Sequence, residues 1–595
     1  MRKICVYSVL SVVTAIFPVL LCSQTNVLTW HNDNWRTGAN TTETTLTTTK
    51  VTATQFGKIC SAPTDGAINA QPLIVSNVPV KVKGVTAKHD VVYVVTENDT
   101  VYAFDARNCT LLKSASIVPA ILGCTPGVTC EQPVDCKSIG AGGCLSLKPT
   151  LGILSTPVID ATPGPNGTTG TIYLVGETQV GAGASPLAWH HRIHALDITN
   201  LLEQPGSPVA IRGSVGTLTF NSGWQLQRPG LLLLKNAGPN GDSMLYAAFS
   251  LMDGSWQKLG EKPPGWVVGY DVTNLKSQPA GLPYIFATTP NGTAPYGPGG
   301  GIWQAGAGLS AGFASATDPN MYIYVGTGDG TWDAGAGGSD YADSFLKLTT
   351  NLQVAGYFTR ADELNYVNMN KDYAAGGMVL VPDNTFSNFP YLSLNSGKDG
   401  NFYVIDRGNP GGYNGVANTN LQTVPGKFAY LSTPAYWNGH LYDAVVGAVL
   451  KSWVLSNTCN AAGPVCATGG HLSKVTFLYG VTPSVSSNGT QAGTGIIWAI
   501  ETYNQVIGGN PAILYAFDAM NMTELYDSTQ CGSLDTPGLA EKFTVPTVAN
   551  GKVYVGTQNE LDVFGPVATR TCTAPAAWIF KPKPVAPLTI LDDDK

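Results

Sequence analysis

The chain runs to 595 residues, of which only 12% are charged, against roughly 25% in an ordinary soluble protein, while 68 are glycine and 39 proline. Long helices draw on Glu, Lys, Arg and Ala, so this composition excludes a mainly helical protein and points to an all-β, turn-rich one. A net charge of −7 and a pI near 5.5, with no Lys/Arg stripe interleaved with aromatics, exclude nucleic acid as a partner.

In chain order, the first element is a targeting segment. Arg2 and Lys3 precede an apolar run from Ile4 to Cys22, and polar residues follow from Ser23. That is the pattern of a secretory signal peptide over 1–23, although Leu21 is bulky where a small residue is usual. Cleavage is expected, with retention as an anchor the alternative. No later stretch reaches the roughly 18 apolar residues of a membrane span, so a secreted or periplasmic protein is expected. Ten of the 12 cysteines lie beyond Cys22, an even number that suggests disulfides. Cys124, Cys130, Cys136 and Cys144 crowd one Gly/Pro-rich insertion, and Cys459 and Cys466 bracket another. Their spacings match no zinc template, and no Cys-x-x-Cys-His for covalent haem occurs.

From residue 68 the sequence repeats. Apolar strands ending at a small or turn residue recur at 68–75, 153–160, 226–234, 303–311, 374–381, 430–437, 480–487 and 543–550. Each is followed by alternating strands, often closed by Asp and a turn, as in "VVYVVTENDTVYAFDARN" (91–108), "WVVGYDVTN" (266–274) and "ILYAFDAMN" (513–521). Period-2 alternation marks strands with one buried face, and Asp-x-x-Asn is turn chemistry. Eight units of about 70 residues each predict an eight-bladed β-propeller over 24–567, with seven blades the alternative. The Pro-rich tail 568–595 is expected to be extended or disordered. "HHRIH" (190–194) offers His190, His191 and His194 without a visible third metal partner and reads as surface histidines.

The segment "GGGIWQAGAGLSAGFASATDPNMYIYVGTGDGTWDAG" (299–335) resembles a signature of the PQQ-dependent alcohol dehydrogenases, the quinoprotein family. There a Gly-Gly-x-x-Trp stretch precedes Asp-Pro, a strand, and Gly-[Thr/Ser]-Gly-Asn near a Trp. The resemblance implies that Trp303 stacks beneath the quinone and that Asp329, in place of Asn, is a Ca²⁺ ligand. "NSGKDGNFYVIDRGNPGG" (395–412) is similar to the family's run in which a basic residue reaches the cofactor's oxygens, which implicates Lys398. "IYLVGETQVGAGASPLAWHHRIHALDITN" (172–200) resembles the blade that supplies another calcium ligand before an Arg, implying Glu177 and Arg192. The catalytic Asp of the family's Asp-x-Trp-Asp-Tyr has loose stand-ins in Asp372 ("KDY") and Asp362 ("ADE"). Departures accompany these matches. The vicinal Cys-Cys is absent, and the blade motif Asp-x-x-Thr-Gly-x-x-x-Trp lacks its Gly and Trp in "FDARNCTLLKSAS" and "FDAMNMTELYDS".

Three functions follow. The first is a quinoprotein-type dehydrogenase that oxidises an alcohol or sugar with PQQ and Ca²⁺ and passes electrons to an external acceptor. The second is a non-catalytic propeller that binds a protein partner as a scaffold. The third is a carbohydrate-binding or carbohydrate-active propeller. Convergence of Trp303, Glu177, Asp329 and Lys398 at one end of the channel discriminates a cofactor site from a scaffold. Fold alone does not.

Overall fold

The computed structural model describes residues 24–572, apart from position 121 and the stretches 140–148, 183–186, 253–261, 294–296, 364–370, 427–430, 461–462 and 503–508. The expected signal peptide therefore lies outside the described residues, as does the tail beyond 572. Among the described residues no helix is long and apolar enough to cross a membrane.

Among the described residues, eight sheets of at least four strands form the eight blades, antiparallel throughout except where Ala39–Asn40 joins Ser484–Ser486 in parallel. Blade 1 comprises Leu73–Val82, Val85–Val95, Thr100–Asp105 and Leu111–Ser116. Blades 2 to 7 begin at Val158–Gly164, Leu232–Leu234, Ser310–Phe313, Met378–Leu380, Ala435–Trp437 and Ser484–Ser486. First strands of neighbouring blades touch, for example Ser310–Phe313 with Met378–Leu380, so these strands surround the axis. Alternating strands bury both faces between neighbouring sheets. Trp266, Phe249 and Leu245 fill one such layer, and Trp498, Val553 and Phe56 another.

The ring closes by joining its ends. Blade 8 takes Thr547–Ala549, Lys552–Gly556 and Glu560–Pro566 from the C-terminal part, and its fourth strand, Phe56–Pro63, from the N-terminal part. Phe56 opposes Pro566 and Pro63 opposes Glu560. The Cys60–Cys109 disulfide fastens this closing strand to blade 1. Cys124–Cys130 and Cys459–Cys466 staple their insertions, and Cys531–Cys572 holds the chain past 568 against blade 7.

A second device, which the repeat pattern does not foretell, precedes the closing strand. Residues 27–40 thread along the axis and bond to every blade in turn. Val27 exchanges hydrogen bonds with Ile74, Leu28 accepts from Ile159, and the Arg36 guanidinium donates to the Leu231 carbonyl at 3.2 Å. Carbonyls of Asn34, Trp35, Thr37 and Gly38 accept from Ala311, Leu380, Tyr436 and Val485, and the Asn40 amide donates to the Val548 carbonyl. His31 and Arg36 are fully buried within this thread.

The blade turns explain a departure noted in the sequence. Asp105, Asp197 and Asp518 each accept a hydrogen bond from the backbone N–H two residues on. Four residues after each, where the quinoprotein motif has Gly, stand Cys109, Leu201 and Met522 with φ near +60°. Their N–H groups bond back to the Asp carbonyl. The turn survives without glycine, at a backbone cost on the order of 1 kcal/mol each.

Candidate metal centre beside the axial cavity

Strand Met321–Gly326 of blade 4 ends in the turn carrying Asp329. The glycines there serve close approach. A Cβ at Gly326 would lie 2.0 Å from Ala374, one at Gly328 2.4 Å from an Asp372 oxygen, and one at Gly330 2.5 Å from the Gly300 nitrogen. The turn is thereby pressed between 299–301 and 372–374. The Asp329 N–H donates to Asp372 Oδ1 at 2.9 Å. Across the hairpin, Asp343 N–H donates to the Gly328 carbonyl at 2.9 Å, which seats a third carboxylate beside the turn.

Asp329, Asp343 and Asp372 each present an oxygen within 4.8 Å of the others. Two ammonium groups attend them, with Lys398 Nζ 2.7 Å from Asp372 Oδ2 and Lys262 Nζ 3.8 Å from Asp329 Oδ2. Behind the cluster Arg360 joins Asp343, Glu363 and Asp399 at 3.7, 3.1 and 3.5 Å. Burial, then the Asp343 and Asp372 carboxylates, push Asp329 up to about 9. Burial also raises Asp343, with Glu363 adding to it. At Asp372 burial acts upward, but Lys398 and the Asp329 N–H outweigh it and hold the carboxyl below its ordinary value. The cluster thus contains one carboxyl held below its ordinary value and two pushed above theirs by burial and by one another.

Trp303, Lys262, Asp329 and Asp372 line a cavity of about 30 Å³ together with Ser250 and Ala375. The Trp303 ring meets Phe543 edge-on, with centroids 6.3 Å apart and planes at 83°. The donor set fits a hard cation, since carboxylate oxygens at this spacing are calcium-type ligands. The space beside Trp303 admits an ion or a water. It is an order of magnitude below the roughly 300 Å³ of a small-molecule pocket, so a tricyclic quinone does not fit the cavity as it stands.

Trp303, Asp329, Asp372 and Lys398 are therefore brought together, and Glu177, Arg192 and Asp362 are not part of their cluster. Glu177 pairs with His191 at 3.4 Å on blade 2, where burial raises its carboxyl. Arg192 is clamped by both oxygens of Glu131, at 2.7 and 2.8 Å, on the strand Glu131–Asp135 of the cysteine-rich insertion. Asp362 is half exposed, 4.0 Å from Arg360. His191 and His194 are buried, a correction to the surface reading. Their strand, Ala188–Asp197, runs between neighbours within blade 2, and His191 faces Phe249 of blade 3. Trp332 serves packing, with its ring 4.4 Å from Tyr413 and its N–H on Thr359. Asp343 was missed. No sequence signal marks it: the hairpin register that sets it opposite Gly328, with Gly326 against Phe345, is a property of the fold.

No protein-family model matches the chain, and no curated protein matches it by sequence. Among solved structures it is similar to the quinohemoprotein alcohol dehydrogenase ADHIIG of Pseudomonas putida HK5, with 14% identity over 94% of this chain and 83% of that one and a TM-score of 0.51. The quinohemoprotein alcohol dehydrogenase of Comamonas testosteroni gives 14%, 93%, 82% and 0.51 in the same terms, and a europium-containing methanol dehydrogenase 12%, 91%, 98% and 0.53. At such identities the likeness is one of architecture, and the chain is an eight-bladed β-propeller with the fold of the quinoprotein alcohol dehydrogenases.

Proposed function

We propose that the protein is an exported quinoprotein-type propeller whose axial cluster binds a hard cation, Ca²⁺ or a trivalent lanthanide. The observation that carries this is the gathering of Asp329, Asp343 and Asp372 within 4.8 Å beside Trp303. Asp329, Asp343 and Asp372 would hold the ion, with Lys398 balancing charge from the Asp372 side. A cation so held supplies Lewis acidity toward an oxygen in the cavity. Asp372, paired with Lys398, would accept a hydroxyl proton, and Trp303 would offer a flat wall. The disulfides fit an oxidising compartment, extracellular or periplasmic.

Oxidation of an alcohol or sugar with PQQ, electrons leaving to an external acceptor, is the activity this arrangement would support if the cavity beside Trp303 widens. The small cavity favours a second reading, a cation-stabilised scaffold for a protein partner. Terbium luminescence tests the first step directly, because Trp303 lies beside the cluster and sensitises a bound ion. Saturable emission is expected, competed by Ca²⁺, at least tenfold weaker in affinity in Asp343→Asn and dimmed in Trp303→Phe. Absence of emission at millimolar terbium overturns the cation site. Fluorescence titration with PQQ then separates the readings. Ca²⁺-dependent quenching that is strengthened by Phe543→Ala supports the dehydrogenase, and no quenching in either protein supports the scaffold.

A further inference from the structure

Away from the axis, a cleft of about 670 Å³ opens between blades 2 and 3, a volume typical of small-molecule sites. Three pieces of chain build it: the strand Ala188–Asp197, the connection through Ser222–Trp224, and the start of strand Trp266–Asp271 with Pro263 and Pro264 before it. A two-stranded hairpin that belongs to no blade, Ser214–Val215 with Leu218–Thr219, adds a wall.

The lining has two characters. Trp189, Trp224, Trp266 and Phe220 give flat apolar faces, and Trp224 is 39% exposed at the opening. Among them lie buried polar atoms without a hydrogen-bond partner among the described residues: Trp189 Nε1, Trp266 Nε1, His191 Nδ1 and Gln225 Oε1, whereas His191 Nε2 faces Glu177. Buried donors and acceptors are nearly always paired, and leaving one unmet costs about 1–3 kcal/mol. Four such atoms on residues that line one cleft mark a site shaped for something polar. The mixture decides its class. An anion would satisfy the indole and imidazole N–H groups and leave Gln225 Oε1 unmet, and a cation would do the reverse. A hydroxyl both donates and accepts, and a ring bearing several of them has a C–H face for stacking on indole.

We propose that the cleft between blades 2 and 3 is a binding site for a saccharide, with a sugar ring stacked on Trp224 and Trp189 and its hydroxyls bonded to Gln225, His191 and the indole N–H groups. The site is independent of the axial cluster and stands whether or not that cluster takes a cation.

The test is titration of the full chain, treated with EDTA, with glucose, maltose and cellobiose, followed by tryptophan fluorescence and by saturation-transfer NMR on the sugar protons. Saturable binding of at least one sugar is expected, unchanged in Asp343→Asn. Affinity falls at least tenfold in Trp224→Ala, a half-exposed position that leaves the melting temperature intact. Gln225→Leu removes the unmet acceptor, so it lowers affinity by at least tenfold with an undiminished melting temperature. No saturation at tens of millimolar sugar overturns the proposal. So does equal binding in wild type and Trp224→Ala, or saturation by sulfate alone. Should Gln225→Leu fail to fold, Trp224→Ala decides.

Discussion

A carboxylic acid with two acidic neighbours and little water keeps its proton past neutrality. Asp329 is so placed, and a cation entering the cluster must expel that proton. Apparent affinity for Ca²⁺ is therefore expected to climb with pH through the neutral range and level off near 9, measured by terbium competition between pH 6 and 10. Lys398→Met removes the charge that holds Asp372 down, so the same curve shifts to higher pH. A second residue titrates in the other direction. Burial, aided by the Arg36 charge, lowers His31 to about 4, against the two hydrogen bonds that the protonated ring would donate to the Arg36 and Pro483 carbonyls, of which the neutral ring can donate one. Its folded value lies below its unfolded one, so its contribution is complete above about pH 6.5. It is lost as pH falls toward 4, a change approaching about 3 kcal/mol. The melting temperature of wild type is expected to fall more steeply over that window than that of His31→Gln.

Among elements, the disulfides differ in what they restrain. Cys60–Cys109 spans 49 residues and joins the closing strand to blade 1. Replacing both with Ala should cost about 4 kcal/mol in the loop-entropy picture, seen as a lowered melting temperature. Cys124–Cys130 closes only six residues inside an insertion, and its loss should cost less. The strands themselves were legible, because short β-branched and aromatic runs such as "VVYVV", buried on both faces rather than one, are bounded by turn residues, and the turn aspartates announce each corner. The gathering of the candidate cluster was foreshadowed where one turn carries its own glycines, as at 326–330, and at Lys398, which the structure sets beside Asp372. It was not legible at Asp343, which is paired to the turn through a hairpin of unknown length, nor at Glu177. For Glu177 a motif match predicted a ligand, and the strand opposite supplied a histidine instead. Spacing within one strand cannot tell which neighbour a side chain will meet across the sheet.

On the scale of the molecule, the thread 27–40 and the strand Phe56–Pro63 make the ring a single cooperative object. A four-stranded blade elsewhere draws on contiguous sequence, whereas these segments bridge separations near 500 residues. Removing residues 24–42 takes hydrogen bonds from all eight first strands at once. The truncated chain is expected to lose its cooperative melting transition, measured by calorimetry, while trimming beyond residue 572 leaves that transition in place.

The thread also sets an order in time. Synthesis delivers residues 27–40 first, yet their last partner, Val548, arrives nearly at the end. Blades 1 to 7 can form as they emerge, each from local hairpins. The opening segment must meanwhile stay extended and unsatisfied, with Trp30, His31 and Arg36 in water. What is made first is therefore settled last, and until then the growing chain is an open arc with two bare sheet edges, the state in which it is most exposed to aggregation.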